Sequence, residues 1–267
     1  MNTKPTLILG IGPPKTGTSW LFRELSSHPD ITPSRMKETN ILNLCGYKKD
    51  ITIKKYLQRL QQEDNPIESA HVGIAGGAFK IEEFQGYAEY MYGLTVHGNT
   101  RVCEISTEYC MLSRDQLENI NSHLSKYFDI KIISWLRDPV ERLMSHANMN
   151  AKNTGSDISE MLSSKRLIPF SMYDIFIPTF QSVFGHENVH VDFFEGATNQ
   201  CGFDRVCDFL NVPHHGCDRT AVNIGDAGHF LSDEIINTLR VDMKSTYDWA
   251  MKEYYSLSTL WKYSANK

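Results

Sequence analysis

No stretch of this 267-residue chain approaches the ~20 consecutive apolar residues of a membrane-spanning helix. The apolar start at residues 7–9 runs into Gly10 too soon to be the hydrophobic core of a secretory leader, so a cytoplasmic protein without a membrane span is expected. A basic excess is also lacking: 27 Lys and Arg stand against 32 Asp and Glu, a net charge of -5, which argues against a nucleic-acid partner. The 6 cysteines (Cys45, Cys103, Cys110, Cys201, Cys207, Cys217) include no C-x-x-C pair and read as reduced, mostly buried thiols. Cys201, Cys207, His214, His215 and Cys217 cluster in sequence but match no common zinc spacing, and no metal is expected. Internal repeats and low-complexity tracts are absent. What remains, 41% hydrophobic and 22% charged, is the composition of one globular domain over residues 1–267.

The most informative stretch follows the first apolar run. Gly10-Ile11-Gly12-Pro13-Pro14-Lys15-Thr16-Gly17-Thr18-Ser19-Trp20-Leu21 reads as strand, tight loop and helix start, a geometry that turns backbone N–H groups and a helix dipole toward an anion. A nucleotidase loop ends Gly-Lys-Ser/Thr, with its lysine on the β- and γ-phosphates and its hydroxyl on Mg²⁺. Here Thr18 holds that lysine's place and Lys15 comes three residues earlier, so the loop suits a shorter anion without a metal.

A second motif, Arg137-Asp138-Pro139-Val140-Glu141-Arg142-Leu143-Met144-Ser145, follows the apolar run 132–136. Asp138 is a good N-cap, Pro139 suits the first helical position and Glu141 the third, so a helix should begin where the strand ends. That leaves Arg137 at the carboxyl edge of a sheet, where open α/β folds bind ligands, with Ser145 two turns along the helix. The plainer reading is a surface arginine and an ordinary helix serine.

Strands are expected at Thr6–Gly10, Arg101–Ile105, 130–136 and 189–195. Helices are expected from near Thr18 to His28-Pro29-Asp30, over 115–128, over Tyr173–Phe184 and over 203–210, with a basic helix-like stretch to Gln62 and a glycine-rich loop at 72–77. The alternation argues for a mainly parallel sheet; taken with the loop after the first strand, an α/β, P-loop-type three-layer domain of about five strands with helices on both faces is expected. Arg35, Lys37, Lys48, Lys49, Lys54, Lys55 and Arg59 could line a groove for an acidic acceptor, although a solvated helix face explains them more simply.

Pro14-Lys15-Thr16-Gly17-Thr18-Ser19-Trp20 resembles the 5′-phosphosulfate loop of sulfotransferases that use 3′-phosphoadenosine 5′-phosphosulfate (PAPS). Arg137 and Ser145, eight residues apart, match the same family's site for the donor's 3′-phosphate. Leu25-Ser26-Ser27-His28-Pro29, Lys37-Glu38-Thr39-Asn40-Ile41-Leu42 and Phe193-Phe194-Glu195 resemble further family segments, so the likeness runs discontinuously from about residue 6 to 212. The pattern is similar to bacterial and carbohydrate sulfotransferases, joined to a cytosolic-type loop.

The resemblance implies sulfuryl transfer from PAPS to an acceptor hydroxyl on a glycan or small metabolite, with 3′,5′-ADP (PAP) as the spent donor. Lys15 would stabilise the leaving phosphate; Thr16, Gly17, Thr18 and Ser19 would hold it; Trp20 would stack on adenine; Arg137 and Ser145 would bind the 3′-phosphate. Glu38 would be the base, with His71 or His97 as rivals of the kind cytosolic members use. Read from residues alone, Trp20 can also be a core aromatic of the first helix, and a glutamate beside a lysine such as Glu38 is usually half of a surface ion pair. Two departures stand out. Glu104-Ile105-Ser106-Thr107-Glu108-Tyr109 has isoleucine where polysaccharide enzymes have lysine, and Val222 to His229 has no cation where cytosolic members have Arg-Lys-Gly, leaving Arg219 or backbone amides to serve. A P-loop kinase or other nucleotide-dependent phosphotransferase, and a PAPS-binding protein without activity, are the alternatives. Acceptor recognition is expected in loops at 40–80 and 146–172, where Asn148, Asn150, Asn153, Ser156 and Asp157 suit sugar hydroxyls.

Overall fold

The computed structural model describes residues 4–35, 37–44, 84–95, 99–218, 220 and 232–264. The stretch to Gln62 beyond residue 44, the loop at 72–77, His71, His97, Arg219 and residues 222–229 lie outside the described residues.

Five parallel strands, β1 (Thr6–Gly10), β2 (Thr32–Pro33), β3 (Arg101–Ile105), β4 (Asp129–Leu136) and β5 (Val189–Phe193), form one sheet in the order β2-β3-β1-β4-β5. The main helices are α1 (Thr18–Ser27), α2 (Phe84–Gly93), α3 (Arg114–Leu124), α4 (Pro139–Thr154), α5 (Ile158–Ser163), α6 (Tyr173–Phe184), α7 (Gln200–Leu210), α8 (Asp233–Asp242) and α9 (Lys244–Glu253). This is the expected α/β architecture. Successive strand residues point to opposite faces, so Leu7, Leu9 and Ile132 enter one core with residues of α2, α3, α4, α6 and α9. Ile8, Cys103, Ile105, Ile133 and Trp135 enter a second core beneath α1 and α7.

β1 lies between β3 and β4, with Gly10 paired to Ile105 on one side and Ile133 on the other. Because every strand runs the same way, the segments after β1, β3, β4 and β5 emerge together at one edge. β2 has only two residues and was not anticipated. Its chain continues along β3 through Ser34 N–H to Cys103 O and Glu38 N–H to Ile105 O, which carries Glu38 to that same edge. The 148–153 asparagines lie in α4 rather than in a loop. Among the described residues no helix is long and apolar enough to cross a membrane.

Candidate active site

The loop after β1 is shaped by two glycines in the left-handed region. Gly12 has φ 87°, and a Cβ there would come 2.4 Å from the Thr107 carbonyl oxygen. Gly17, at φ 85°, caps α1 without a side chain of its own engaging the first-turn amides, which leaves that helix end open to an anion. Thr16 is fully buried and donates from Oγ1 to Pro13 O at 2.8 Å, so its hydroxyl closes the loop. Thr18 is buried and Ser19 half-buried at the start of α1.

Lys15 is half-buried at the loop tip, with Nζ 3.8 Å from Met149 Sδ. Burial, followed by the positive charges of Arg137, Lys152 and Lys37, lowers its pKa from the usual lysine value. Four cations therefore converge from the loop, the end of β4, α4 and the segment before Glu38. Glu38 already stands beside Lys37 and Glu141 beside Arg137, and the positive potential that still depresses the Lys15 pKa favours an anion at the loop.

Arg137 follows β4 directly. Its guanidinium lies over the Phe194 ring, 4.8 Å from the centroid, and donates to Lys15 O at 3.4 Å and Glu141 Oε2 at 3.3 Å. Its Nε is buried without a hydrogen-bond partner. Such an orphaned donor beside a cation cluster fits an anionic ligand. The helix behind it begins as expected: Asp138 accepts from Val140 N and Glu141 N, with Pro139 at the first position. Ser145 is half-buried one turn beyond Glu141, so Arg137 and Ser145 share one side of the α4 entry.

Glu38 meets the loop through Thr107. Its Oε2 accepts from Thr107 N at 2.8 Å and Thr107 Oγ1 at 2.9 Å, and its Oε1 accepts from Lys37 Nζ. Thr107 is the residue that Gly12 nearly touches, so the carboxylate is anchored to the phosphate loop's own neighbour. Glu38 itself has φ 64°, and its side chain is 36% exposed, open enough to meet a substrate. Beneath it the fully buried Glu104 accepts from the hydroxyls of Thr39 and Tyr87, from Tyr109 at 2.6 Å and from Ser106 at 2.9 Å. Ser106 Oγ in turn receives Asn40 N, which fastens the turn that presents Glu38. Ile105, at the position where a lysine was looked for, points into the second core.

Trp20 is buried, as its reading from the residues alone has it. Its ring is 4% exposed, 5.6 Å from Trp135 and 6.2 Å from Phe203, and Nε1 donates to Asp218 O at 3.1 Å. The residue is a core aromatic, because its place in α1 faces the sheet rather than the loop mouth. Among the described residues no group of three or more His, Cys, Asp or Glu could hold a metal; His214 instead pairs with Asp208 and Asp204. Thr107, Met149, Lys152 and Phe194 lie around the loop but were not singled out from the sequence, although Thr107 and Phe194 fall within segments compared with the family. Extending the helix expected from Pro139 beyond Ser145 would have put Met149 and Lys152 on the Ser145 side by their spacing, but 146–172 was read as a loop.

Comparison with known proteins bears on the fold and the family. Two solved structures share the fold along nearly the whole chain. A sulfotransferase from Alicyclobacillus acidocaldarius is 20% identical with a TM-score of 0.64, covering 95% of this chain and 96% of that one. The sulfotransferase domain from the curacin biosynthetic pathway is 18% identical with a TM-score of 0.53, covering 94% and 97%. No curated protein sequence matches. The family model described as "Sulfotransferase family" matches residues 5–216, a span that runs from β1 past α7 and takes in the loop, Glu38 and Arg137, and the chain belongs to the sulfotransferase family.

Proposed function

We propose that this chain moves the sulfuryl group of PAPS onto a hydroxyl of a glycan or small-metabolite acceptor. The reading is carried by the convergence of Lys15, Arg137, Lys152 and Lys37 on a glycine-shaped loop, with the Glu38 carboxylate held beside it through Thr107. The residues fit the donor: Arg137 has a buried, unpartnered Nε for the 3′-phosphate with Ser145 nearby, and the α1 amides with Thr18 and Ser19 suit the 5′-phosphate. PAPS supplies an activated sulfuryl group whose bond to the 5′-phosphate breaks as the acceptor oxygen bonds to sulfur. In this reading Lys15 neutralises charge growing on the departing phosphate oxygen, which is the main service an enzyme can give a loose in-line transfer. Glu38 takes the proton from the acceptor hydroxyl. Its hydrogen bonds to Lys37 and Thr107 use three of its four lone-pair sites and leave one for that proton.

Calorimetric titration with 3′,5′-ADP, and with ADP and ATP plus Mg²⁺ as comparators, tests the reading. Tight 3′,5′-ADP binding without metal is expected, weakened about 10- to 100-fold in Arg137→Ala by loss of charge-assisted hydrogen bonds. A preference for ATP with Mg²⁺ overturns the reading in favour of a phosphotransferase.

A further inference from the structure

Helix α4 brings a second group toward Lys15. Arg142, His146 and Met149 follow one another at the four- and three-residue steps that align side chains on one helix face. Met149 Sδ touches the Lys15 ammonium, so this face looks toward the transfer end of the site. His146 is 7% exposed, its ring edge-to-face with Phe170 at 5.4 Å. Behind it lies the fully buried guanidinium of Arg142, which donates to Ser171 Oγ at 2.6 Å, Leu167 O at 2.8 Å and His146 Nδ1 at 3.1 Å.

A guanidinium can only donate, so Nδ1 is the bare nitrogen and the ring proton resides on Nε2. Burial and the charges of Arg142 and Lys15 push the imidazole pKa down to about 4, so the ring stays neutral. Among the described residues Nε2 has no hydrogen-bond partner. This nitrogen already carries its proton and cannot serve as the base; it is a fixed neutral donor beside the cation cluster.

We propose that His146 Nε2–H donates a hydrogen bond to an oxygen of the sulfuryl group in transfer, from the α4 side, with Arg142 holding its tautomer. The proposal rests on the sulfotransferase reading. Charge in a loose transfer spreads over the terminal oxygens, and a donor fixed before the reaction stabilises it without reorganisation.

The test uses the full chain saturated with 3′,5′-ADP and titrated with inorganic sulfate, as wild type, His146→Asn and His146→Gln. Asparagine keeps an acceptor for Arg142 but offers no donor at the Nε2 position, whereas glutamine carries an N–H there. Sulfate affinity should fall about 10-fold or more in His146→Asn and largely return in His146→Gln, with 3′,5′-ADP affinity changed less than about twofold. Equal sulfate affinity in wild type and His146→Asn overturns the proposal. So does a wild-type 3′,5′-ADP complex that takes up no sulfate, or a His146→Asn protein that loses 3′,5′-ADP as well, which marks a structural residue. Failure of the wild type to bind 3′,5′-ADP is different: it removes the sulfotransferase reading itself.

Discussion

At the scale of single residues, Glu38 and Thr107 make the sharpest prediction. Glu38→Gln keeps the side-chain length and can still accept from Thr107, but it cannot take a proton. Turnover of PAPS with an acceptor should fall about 10²- to 10⁴-fold, the usual contribution of a general base, while 3′,5′-ADP affinity holds. Unchanged turnover in a single-turnover assay would move the base elsewhere. The places of Lys15, Glu38 and Arg137 around the loop were legible because each sits in a contiguous segment that resembles one of the family's. Thr107, Lys152 and His146 were not, because their closeness arises where the end of β3 and the face of α4 meet the loop, a meeting made by topology and not by spacing. Trp20 shows the converse. It stands inside the motif, yet the buried pattern Trp20, Leu21, Leu25 turns that side of α1 to the sheet.

At the scale of elements, the join of β4, α4 and β5 holds the Arg137 side of the site. β5 was expected to reach Glu195, but the chain turns into a short helix at Phe194–Ala197, because Leu136 pairs with Phe193 and both strands end there. The turn puts Phe194 under Arg137 and aims Glu195 at the α4 entry, where Oε1 accepts from Asp138 N at 2.9 Å. The other oxygen is buried without a partner. Burial raises the Glu195 pKa from 4.5 to about 7, outweighing the bond from Asp138 N and the nearby Arg137 charge, which lower it. The sign follows from linkage: the Glu195 carboxyl ionises first in the unfolded chain, so its contribution to stability is fully present below about pH 4.5 and is lost as pH rises through 7. At ~1.36 kcal/mol per pKa unit this loss is about 3 kcal/mol. Urea unfolding from pH 5 to 8 should therefore show a falling contribution in the wild type that Glu195→Gln lacks; parallel curves would refute the buried acid. The strands long enough to alternate were legible, as were the caps. β2, two residues held mainly by its neighbour β3, left no pattern to read.

At the scale of the whole molecule, the helices after residue 232 hold the site together, although the family match ends at residue 216. The buried Asp138 caps α4 and also accepts from Tyr247 OH at 2.9 Å and from Tyr263 N at 2.7 Å. Trp261 is 0% exposed and packs on Phe193 at 4.9 Å, Tyr247 at 5.7 Å and Tyr173 at 6.0 Å. Tyr173 OH in turn donates to the Arg137 carbonyl at 2.8 Å. The C-terminal aromatics therefore clamp the strand end, the helix cap and the arginine as one unit. Trp261→Ala should lower unfolding free energy by about 3–5 kcal/mol, the cost of a large cavity. Because the cavity opens beside the α4 entry, 3′,5′-ADP affinity in the folded variant should drop with Arg137's loss of support, while the Lys15 loop, built on β1 and α1, keeps its shape. Equal destabilisation with wild-type 3′,5′-ADP affinity would mean that β4 and Pro139 alone fix the arginine, and that the C-terminal helices stabilise the fold without tuning the site.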